Sequence, residues 1–298
     1  MTSLDEKLAG WTGPSSASEQ DQQGRTERMI REAIDAHEPF ASLTRKVYAK
    51  GSYANNTNVR SDSDVDIAVL CQNVFYYDGH IDGAVPADIS PYSGEWTPVK
   101  LRSELIAALR TKFGSDVDTS GSTAIQVHSS SARVEADVVP SFDYRYYFAP
   151  DRFREGSRVF KTDNSHTENY SALQLANGRA KNNRTNQAYK KTVRIMKRLE
   201  NAMVEAGYHR EVPSYFVECL VYNSPDEYFT RSTWSATVKA VVARVYSELE
   251  GSEPSENDVR WVEVNEAKYL FLGAQKWTRT DGRDFAYAAW NFLALGDA

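Results

Sequence analysis

Residues 50–70 read KGSYANNTNVRSDSDVDIAVL, which predicts a sharp turn, a polar loop and then a strand. The strand is expected over residues 64–70. Because strand side chains alternate between faces, Asp64 and Asp66 point to the same side, roughly 6–7 Å apart. Two carboxylates at this spacing can converge on a pair of metal ions about 3.5–4 Å apart, and Mg²⁺ prefers oxygen ligands of this kind. The segment therefore predicts a metal site at the start of the strand.

The turn before the loop contains Gly51 and Ser52. Glycine lets backbone N–H groups approach a phosphate closely, and the start of a helix favours anions. The pair therefore predicts a phosphate-binding turn beside the metal site. As an alternative, the Asp and Asn residues of this segment form only turns and caps, as they often do near the start of a strand.

A third carboxylate is expected from Asp137, on a strand over residues 133–139 that Pro140 ends. An aspartate in the middle of a strand with apolar neighbours is costly unless it is paired or bound to a metal. The alternative is an acidic residue at a strand edge that faces water. Together with Asp64 and Asp66, Asp137 favours a site of three carboxylates over a set of turn and cap residues.

The composition limits the class of protein. The chain has 298 residues, 41% of them hydrophobic, which allows a substantial core in one large domain or two lobes. Mean hydropathy is −0.57, and no long apolar run occurs, which argues against a membrane span. The only cysteines, Cys71 and Cys219, are expected to be buried thiols of a protein in the reducing cytoplasm. The net charge of −6 argues against a protein that lives on duplex nucleic acid.

Hydrophobic periodicity and turn residues predict an α+β fold in two parts. Residues 1–150 are expected to form a core of mixed sheet and helices with an N-terminal helix, and residues 151–298 a helical lobe. Residues 72–98 are interpreted as a surface excursion, and the polar stretch 151–184 as a crossing between the lobes. The predicted helices cover residues 25–43, 99–113, 187–207, 213–222, 233–249, 259–277 and 284–295, and the predicted strands cover residues 45–49, 64–70, 124–128, 133–139 and 144–148.

Three residues of the second part are candidates for contact with a phosphorylated ligand. Lys197 lies on the helix predicted over residues 187–207, from which a lysine could reach phosphate oxygens as a point charge. The alternative for this helix is a solvated basic face. Ser214 lies near the start of the next helix, where a hydroxyl and free N–H groups could hold phosphate. Tyr215 could stack on a base, although a lone tyrosine more often belongs to the core.

Taken together, the motifs resemble those of the polymerase-β-like nucleotidyltransferases: G-S, a gap of eleven residues, D-x-D on a strand and a third aspartate on a later strand. More closely, the chain resembles the cGAS/DncV-like nucleotidyltransferases, or CD-NTases, of bacterial CBASS anti-phage systems. This resemblance covers residues 25–295. The stretches that carry it are KGSYANNTNVRSDSDVDIAVL, VEADVVP, YKKTVRIMKRL and VPSYFVECLVYNSP.

The resemblance implies a bilobal fold, in which a nucleotidyltransferase core precedes a helical C-terminal lobe that closes over the nucleotide site. It also implies that Asp64, Asp66 and Asp137 are catalytic and hold two Mg²⁺ ions, with Mn²⁺ as an alternative. Lys50 departs from the family pattern, because a glutamine is expected at that position.

Nucleotide contacts follow from the same resemblance. It implies that Gly51 and Ser52 contact the triphosphate of the donor. It further implies that Lys197 and Ser214 contact phosphates and that Tyr215 stacks on the donor base.

The implied function is the joining of nucleoside triphosphates, with ATP, GTP or both expected, into a cyclic di- or trinucleotide with release of pyrophosphate. A downstream effector would act through the product. The alternatives are a nucleotidyltransferase with another acceptor, such as an RNA end, a small molecule or a protein, and a nucleotide-sensing protein with a silent fold. The acidic composition and the lack of a zinc-ribbon insertion argue against a nucleic-acid activator. The sequence leaves open the bases, the ring size, the linkage, the activating signal and the oligomeric state.

Overall fold

The computed structural model describes residues 3–59, 64–90, 92–255, 258–273 and 275–296. The chain divides into two compact units. The sheet unit comprises Ser15–Ala54 and Arg60–Ser171, and the helical unit comprises Met1–Pro14, Asn55–Val59 and Ala172–Ala298. The boundary therefore differs from the one predicted after residue 150. It lies after Ser171, and the N-terminal segment belongs to the helical unit.

The described part of the sheet unit forms a seven-stranded mixed sheet. Its strands are β1 Arg45–Ala49, β2 Val65–Gly79, β3 Val117–Asp118, β4 Ile125–Val127, β5 Ala136–Ala149, β6 Arg152–Phe160 and β7 His166–Asn169. The central strands β2 and β5 run parallel, and the other pairs, β1 with β2, β3 with β4, β4 with β5, β5 with β6 and β6 with β7, are antiparallel. This arrangement confirms the predicted mixed sheet.

The helices of the described residues are α1 Leu4–Gly10, α2 Ala17–Asp35, α3 Gly51–Asn55, α4 Pro98–Phe113, α5 Ser171–Arg184, α6 Ala188–Glu205, α7 Ser214–Tyr222, α8 Trp234–Leu249 and α9 Arg279–Phe292, with 3-10 turns at Glu38–Ser42, Gly114–Asp116 and Asp226–Thr230.

Helices α2 and α4 cover one face of the sheet. Ile67 of β2, Val138 of β5 and Leu105 of α4 are fully buried in the shared core. Helix α2 begins earlier than predicted because Ser16 and Glu19 form a capping box.

Strand pairing extends further than the sequence predicted. Strand β2 continues to Gly79, into the segment interpreted as a surface excursion, and β6, β7 and α5 together occupy most of the segment interpreted as a crossing. Strand β5 passes through Pro140, which was predicted to end it. Pro140 lies opposite Val69, whose carbonyl oxygen accepts a hydrogen bond of 3.3 Å from the Ser141 hydroxyl. On its other edge β5 pairs with β4 only up to Val138 and with β6 only from Phe142, so that Pro140 lies where no ladder donor is needed. The predicted polar loop includes residues 60–63, which lie outside the described residues.

The helical unit packs α1 and α6 to α9 around its own core, which includes Leu8 of α1 and the buried thiol of Cys219. The helix predicted over residues 259–277 is wrong for the part of that segment which the structure describes. There the Asn223 side chain bonds both the N–H (3.0 Å) and the carbonyl (2.8 Å) of Val262, so that tertiary bonds replace helical ones. No described helix is long and apolar enough to cross a membrane.

Candidate active site

Asp66 and Asp137 lie directly opposite each other on the parallel strands β2 and β5. Their neighbours Ile67 and Val138 face the core under α2 and α4. Because side chains alternate along a strand, the two carboxylates project from the opposite face of the sheet. The structure therefore brings together one aspartate of the D-x-D motif and the aspartate of the later strand.

The protein supplies few hydrogen-bond or charge partners for the Asp137 carboxylate. Its Oδ1 atom is buried and accepts no hydrogen bond from the described residues. Burial raises the pKa of Asp137, and the nearby charge of Asp66 raises it further, whereas a hydrogen bond with Gln126 opposes the shift. A buried carboxylate oxygen without a partner costs free energy, and a bound cation would remove that cost.

Gly51 makes room for the Asp66 carboxylate. It opens α3 with a φ of +68°, a conformation that residues with a side chain rarely adopt. A Cβ atom at this position would collide with Asp66 Oδ2. The glycine of the predicted turn is therefore required for the position of an aspartate, besides any contact with phosphate. Ser52 follows it in α3 and is partly exposed.

Lys50 supplies the nearest cation to this pair of carboxylates. Its Nζ atom donates to Asp66 Oδ1 at 3.2 Å, and its backbone N–H donates to the Asp66 carbonyl oxygen at 2.9 Å. The residue that departs from the family pattern thus neutralises one metal-binding candidate. A divalent ion at Asp66 would compete with this ammonium group.

Asp64 lies immediately before β2 and is exposed. Among the described ranges, no three His, Cys, Asp or Glu side chains form a group that could hold a metal ion. The structure opposes Asp66 and Asp137 directly, and Asp64 lies one residue before the paired part of β2, so its part in the metal site stays a prediction. The pair itself fits a hard cation, since its donors are all carboxylate oxygens and one of them is buried without a partner.

The other three predicted residues belong to the helical unit. Ser214 is the exposed first residue of α7, and Lys197 lies on α6 with only 3% of its side chain exposed. The Tyr215 hydroxyl donates to Glu263 Oε2 at 3.3 Å, and its ring meets Trp277 edge-on at 6.3 Å. Burial raises the pKa of Tyr215 above its ordinary range. The burial of Lys197 excludes a solvated basic face at this position, whereas the ligand contacts of all three residues stay predictions.

Glu218 of α7 forms a buried network that the sequence did not predict. Asn55 Nδ2 and Thr57 Oγ1 donate to its carboxylate at 2.5 and 2.8 Å. Lys197 Nζ donates to Glu218 Oε2 at 3.0 Å and to Thr57 Oγ1 at 3.3 Å. The network could have been predicted from the single acidic residue inside the apolar run SYFVECLVY, because a charged residue is almost never fully buried unless it is paired.

Comparison with known proteins identifies the family. The cGAS/DncV-like nucleotidyltransferase C-terminal helical domain matches residues 176–294. The cyclic dipyrimidine nucleotide synthase CdnE of Legionella pneumophila is 34% identical over 288 residues, which are 95% of this chain and 95% of that relative. The chain belongs to the cGAS/DncV-like nucleotidyltransferases.

Two more CD-NTases extend the comparison. The cyclic dipurine nucleotide synthase of Elizabethkingia meningoseptica is 30% identical over 98% of this chain and 99% of its own length. The structure of Rhodothermus marinus CdnE c-UMP-AMP synthase with Apcpp and Upnpp superposes with a TM-score of 0.83 and 27% identity, covering 97% of this chain and 96% of that one. The predicted CD-NTase fold, a polymerase-β-like core with a helical C-terminal part, is confirmed, and this CD-NTase is a nucleotidyltransferase.

Proposed function

We propose that this CD-NTase joins nucleoside triphosphates into a cyclic di- or trinucleotide with release of pyrophosphate. The observation that carries the proposal is the opposed pair Asp66 and Asp137 on adjacent parallel strands, with Gly51 against one of the carboxylates. Phosphoryl transfer depends mainly on positioning and electrostatic stabilisation, and a rigid pair of carboxylates on a sheet provides both.

In this proposal Asp64, Asp66 and Asp137 hold two Mg²⁺ ions, or Mn²⁺ in their place. Divalent ions at such a site lower the pKa of an attacking hydroxyl and stabilise the charge on the leaving oxygens. Asp137 is assigned to the attacking hydroxyl of the acceptor ribose, from which its carboxylate can take the proton. The attacked atom is the α-phosphorus of the donor, and a second transfer closes the ring of the linear intermediate.

The donor contacts are proposed on the same basis. Gly51 and Ser52 are assigned to the triphosphate, Ser214 to a phosphate and Tyr215 to the donor base. Lys197 is assigned to a phosphate as well. An ammonium group has three donors, and two of those of Lys197 are directed to Glu218 and Thr57, which leaves one for an oxygen of the ligand.

The identity of the bases is the finer part of the proposal. The relatives from Legionella and Elizabethkingia are named as a dipyrimidine and a dipurine synthase, and the one from Rhodothermus as a c-UMP-AMP synthase. We propose a ring of two nucleotides for this chain, made from ATP, GTP or a pyrimidine triphosphate. In the cell, the product is proposed to act on a downstream effector in anti-phage signalling.

The test is an incubation of the purified protein with all four nucleoside triphosphates and Mg²⁺ or Mn²⁺, with one α-labelled at a time. Treatment with phosphatase removes label from terminal phosphates but leaves internal phosphodiesters. We expect a labelled, phosphatase-resistant species. It should appear with two or more of the four labelled triphosphates if the ring contains different bases, and with only one of them if all its bases are the same. If resistant label appears only after an RNA end, a small acceptor or a protein is added, this function is wrong and another acceptor replaces it.

A further inference from the structure

The far end of the β5–β6 hairpin carries a cluster of rings and arginines that the catalytic proposal does not use. We define the hairpin patch as His80, Tyr146, Phe148, Arg152 and Arg154. Because a strand rises about 3.3 Å per residue, Phe148 lies roughly 35 Å along β5 from Asp137. The patch is therefore separate from the pair of aspartates.

The hairpin patch lies on the sheet face that α2 and α4 cover nearer to the aspartates. Phe142 is the last residue of β5 in the core shared with those helices, and even-numbered residues of β5 continue on that face. Tyr146 lies opposite Arg154 in the β5–β6 ladder, so the side chains of both residues lie on that same face of the sheet. The aromatic residues thus continue beyond the end of the helical cover, where they are partly exposed.

The rings of the patch contact one another at defined angles. Tyr146 and Phe148 are 5.3 Å apart at 77°, and His80 lies 6.3 and 6.2 Å from them. The Arg154 and Arg152 guanidinium groups lie over the Phe148 ring at 5.1 and 5.5 Å. Flat rings and guanidinium planes on an open sheet are the surfaces on which unstacked bases are bound.

The two guanidinium groups of the patch differ from that of Arg158 in their ion pairing. Within the described ranges, neither Arg152 nor Arg154 forms an ion pair with a carboxylate, although each stacks on Phe148. Arg158, on the same strand, is instead paired with both Asp78 and Glu168. A stacked guanidinium keeps its N–H edges free, and these edges match the geometry of phosphate oxygens.

We infer that the hairpin patch binds single-stranded nucleic acid, with phosphates on Arg152 and Arg154 and bases on the rings of Tyr146, Phe148 and His80. A single strand is favoured over a duplex because bases must be unstacked to reach the rings. The net charge of −6 describes the whole chain and not this local surface. The inference concerns binding and does not depend on the proposed catalytic activity.

The test measures fluorescence anisotropy of labelled U10 and A10 RNA at several salt concentrations. Arg152→Ala/Arg154→Ala is expected to weaken binding at least tenfold. The slope of log K against log salt should fall by about 1.4, because each phosphate contact on a single strand contributes about 0.7. Phe148→Leu, which retains an apolar side chain but removes the ring, is expected to weaken binding about tenfold.

The matched control is Arg231→Ala/Arg283→Ala, which removes two guanidinium groups from the helical unit, one of them also stacked on a ring. It should change affinity by less than about twofold. The inference is overturned if the full-length protein binds neither RNA, if the hairpin and control variants behave alike, or if a labelled decaglutamate binds with the same arginine dependence and RNA does not. If the double arginine variant fails to fold, Phe148→Leu and the salt slope of the unaltered protein decide the question.

Discussion

Asp66 and Asp137 are cross-strand partners in the parallel ladder between β2 and β5. The two residues cannot move apart unless the pairing of β2 with β5 is broken. The two negative charges are therefore held together by the backbone, and the buried oxygen of Asp137 is left without a protein partner among the described residues. This arrangement raises the electrostatic free energy of the folded protein, because the carboxylates repel each other and one is desolvated. A bound divalent cation would lower that free energy.

Asp137→Asn should lower the activity of the protein but raise its stability. Because burial raises the pKa of Asp137 in the folded protein, its carboxylate destabilises the fold at pH values above the ordinary 3.8. The amide should raise the thermal midpoint at pH 7 by roughly 2 °C, while product formation falls about 100-fold or more.

The stability gain should shrink as the pH falls through the raised pKa of Asp137 in the folded protein, and it should vanish below the ordinary 3.8, where folded and unfolded chains are both protonated. Calorimetry at pH 7 and pH 4 checks the sign. A variant that is less stable at pH 7 would show that a protein partner compensates the charge.

Gly51→Ala should abolish activity because its Cβ would displace the Asp66 carboxylate. The control is Gly207→Ala, whose φ of +62° resembles the +68° of Gly51 but whose Cβ would meet no atom within 4 Å. Both variants should lose about 1–2 kcal/mol in the free energy of unfolding from backbone strain. Only Gly51→Ala should lose product formation, and equal activity in the two variants would contradict the role assigned to Gly51.

Lys50→Gln should tighten the binding of Mn²⁺, measured by calorimetry in the absence of nucleotide. The ammonium group bonds Asp66 Oδ1 at 3.2 Å, so a cation must displace it. A partly exposed ion pair contributes at most about 1 kcal/mol, which corresponds to about fivefold in Kd. Lys46→Gln removes the same charge from β1 and should leave Kd unchanged. Equal effects of the two variants would show a general charge effect.

Lys197→Met and Glu218→Gln should each destabilise the helical unit by about 3–5 kcal/mol, because each leaves a buried charge unpaired. The double variant should recover much of that loss, and urea unfolding of the four proteins measures the coupling. Additive losses would contradict a buried ion pair. If Lys197 also contacts a phosphate, the double variant should keep a raised KM for the donor, whereas an unchanged KM would rule out that contact.

The sequence allowed good prediction where the local pattern alone decides the structure. The bounds predicted for β1 coincide with those observed, and those predicted for α7 differ by one residue at the start, since alternation, flanking turns and Pro213 mark the ends of these elements. The two aspartates were predicted on separate strands, but their direct opposition depends on the parallel pairing of β2 with β5. That pairing brings together distant segments, and no local pattern encodes its register.

The errors arose where tertiary bonds override local preference. Pro140 was expected to end β5, but it lies between the part of β5 that pairs with β4 and the part that pairs with β6, where no partner needs its N–H. Residues 259–277 have helical composition, yet Asn223 binds the backbone of Val262 and prevents helical pairing there. The network of Glu218 was detectable, because an acidic residue in an apolar helix requires a partner. The partners themselves, Asn55, Thr57 and Lys197, could not be predicted.

The most direct test of the central proposal is the intact mass of the product formed from all four nucleoside triphosphates, compared between the unaltered protein and Asp137→Asn. We predict a phosphatase-resistant species that lacks one water relative to the linear oligonucleotide, reduced about 100-fold or more in the variant. A linear product alone, or a similar yield of the cyclic species from the folded Asp137→Asn protein, would contradict the proposed ring closure at this pair of aspartates.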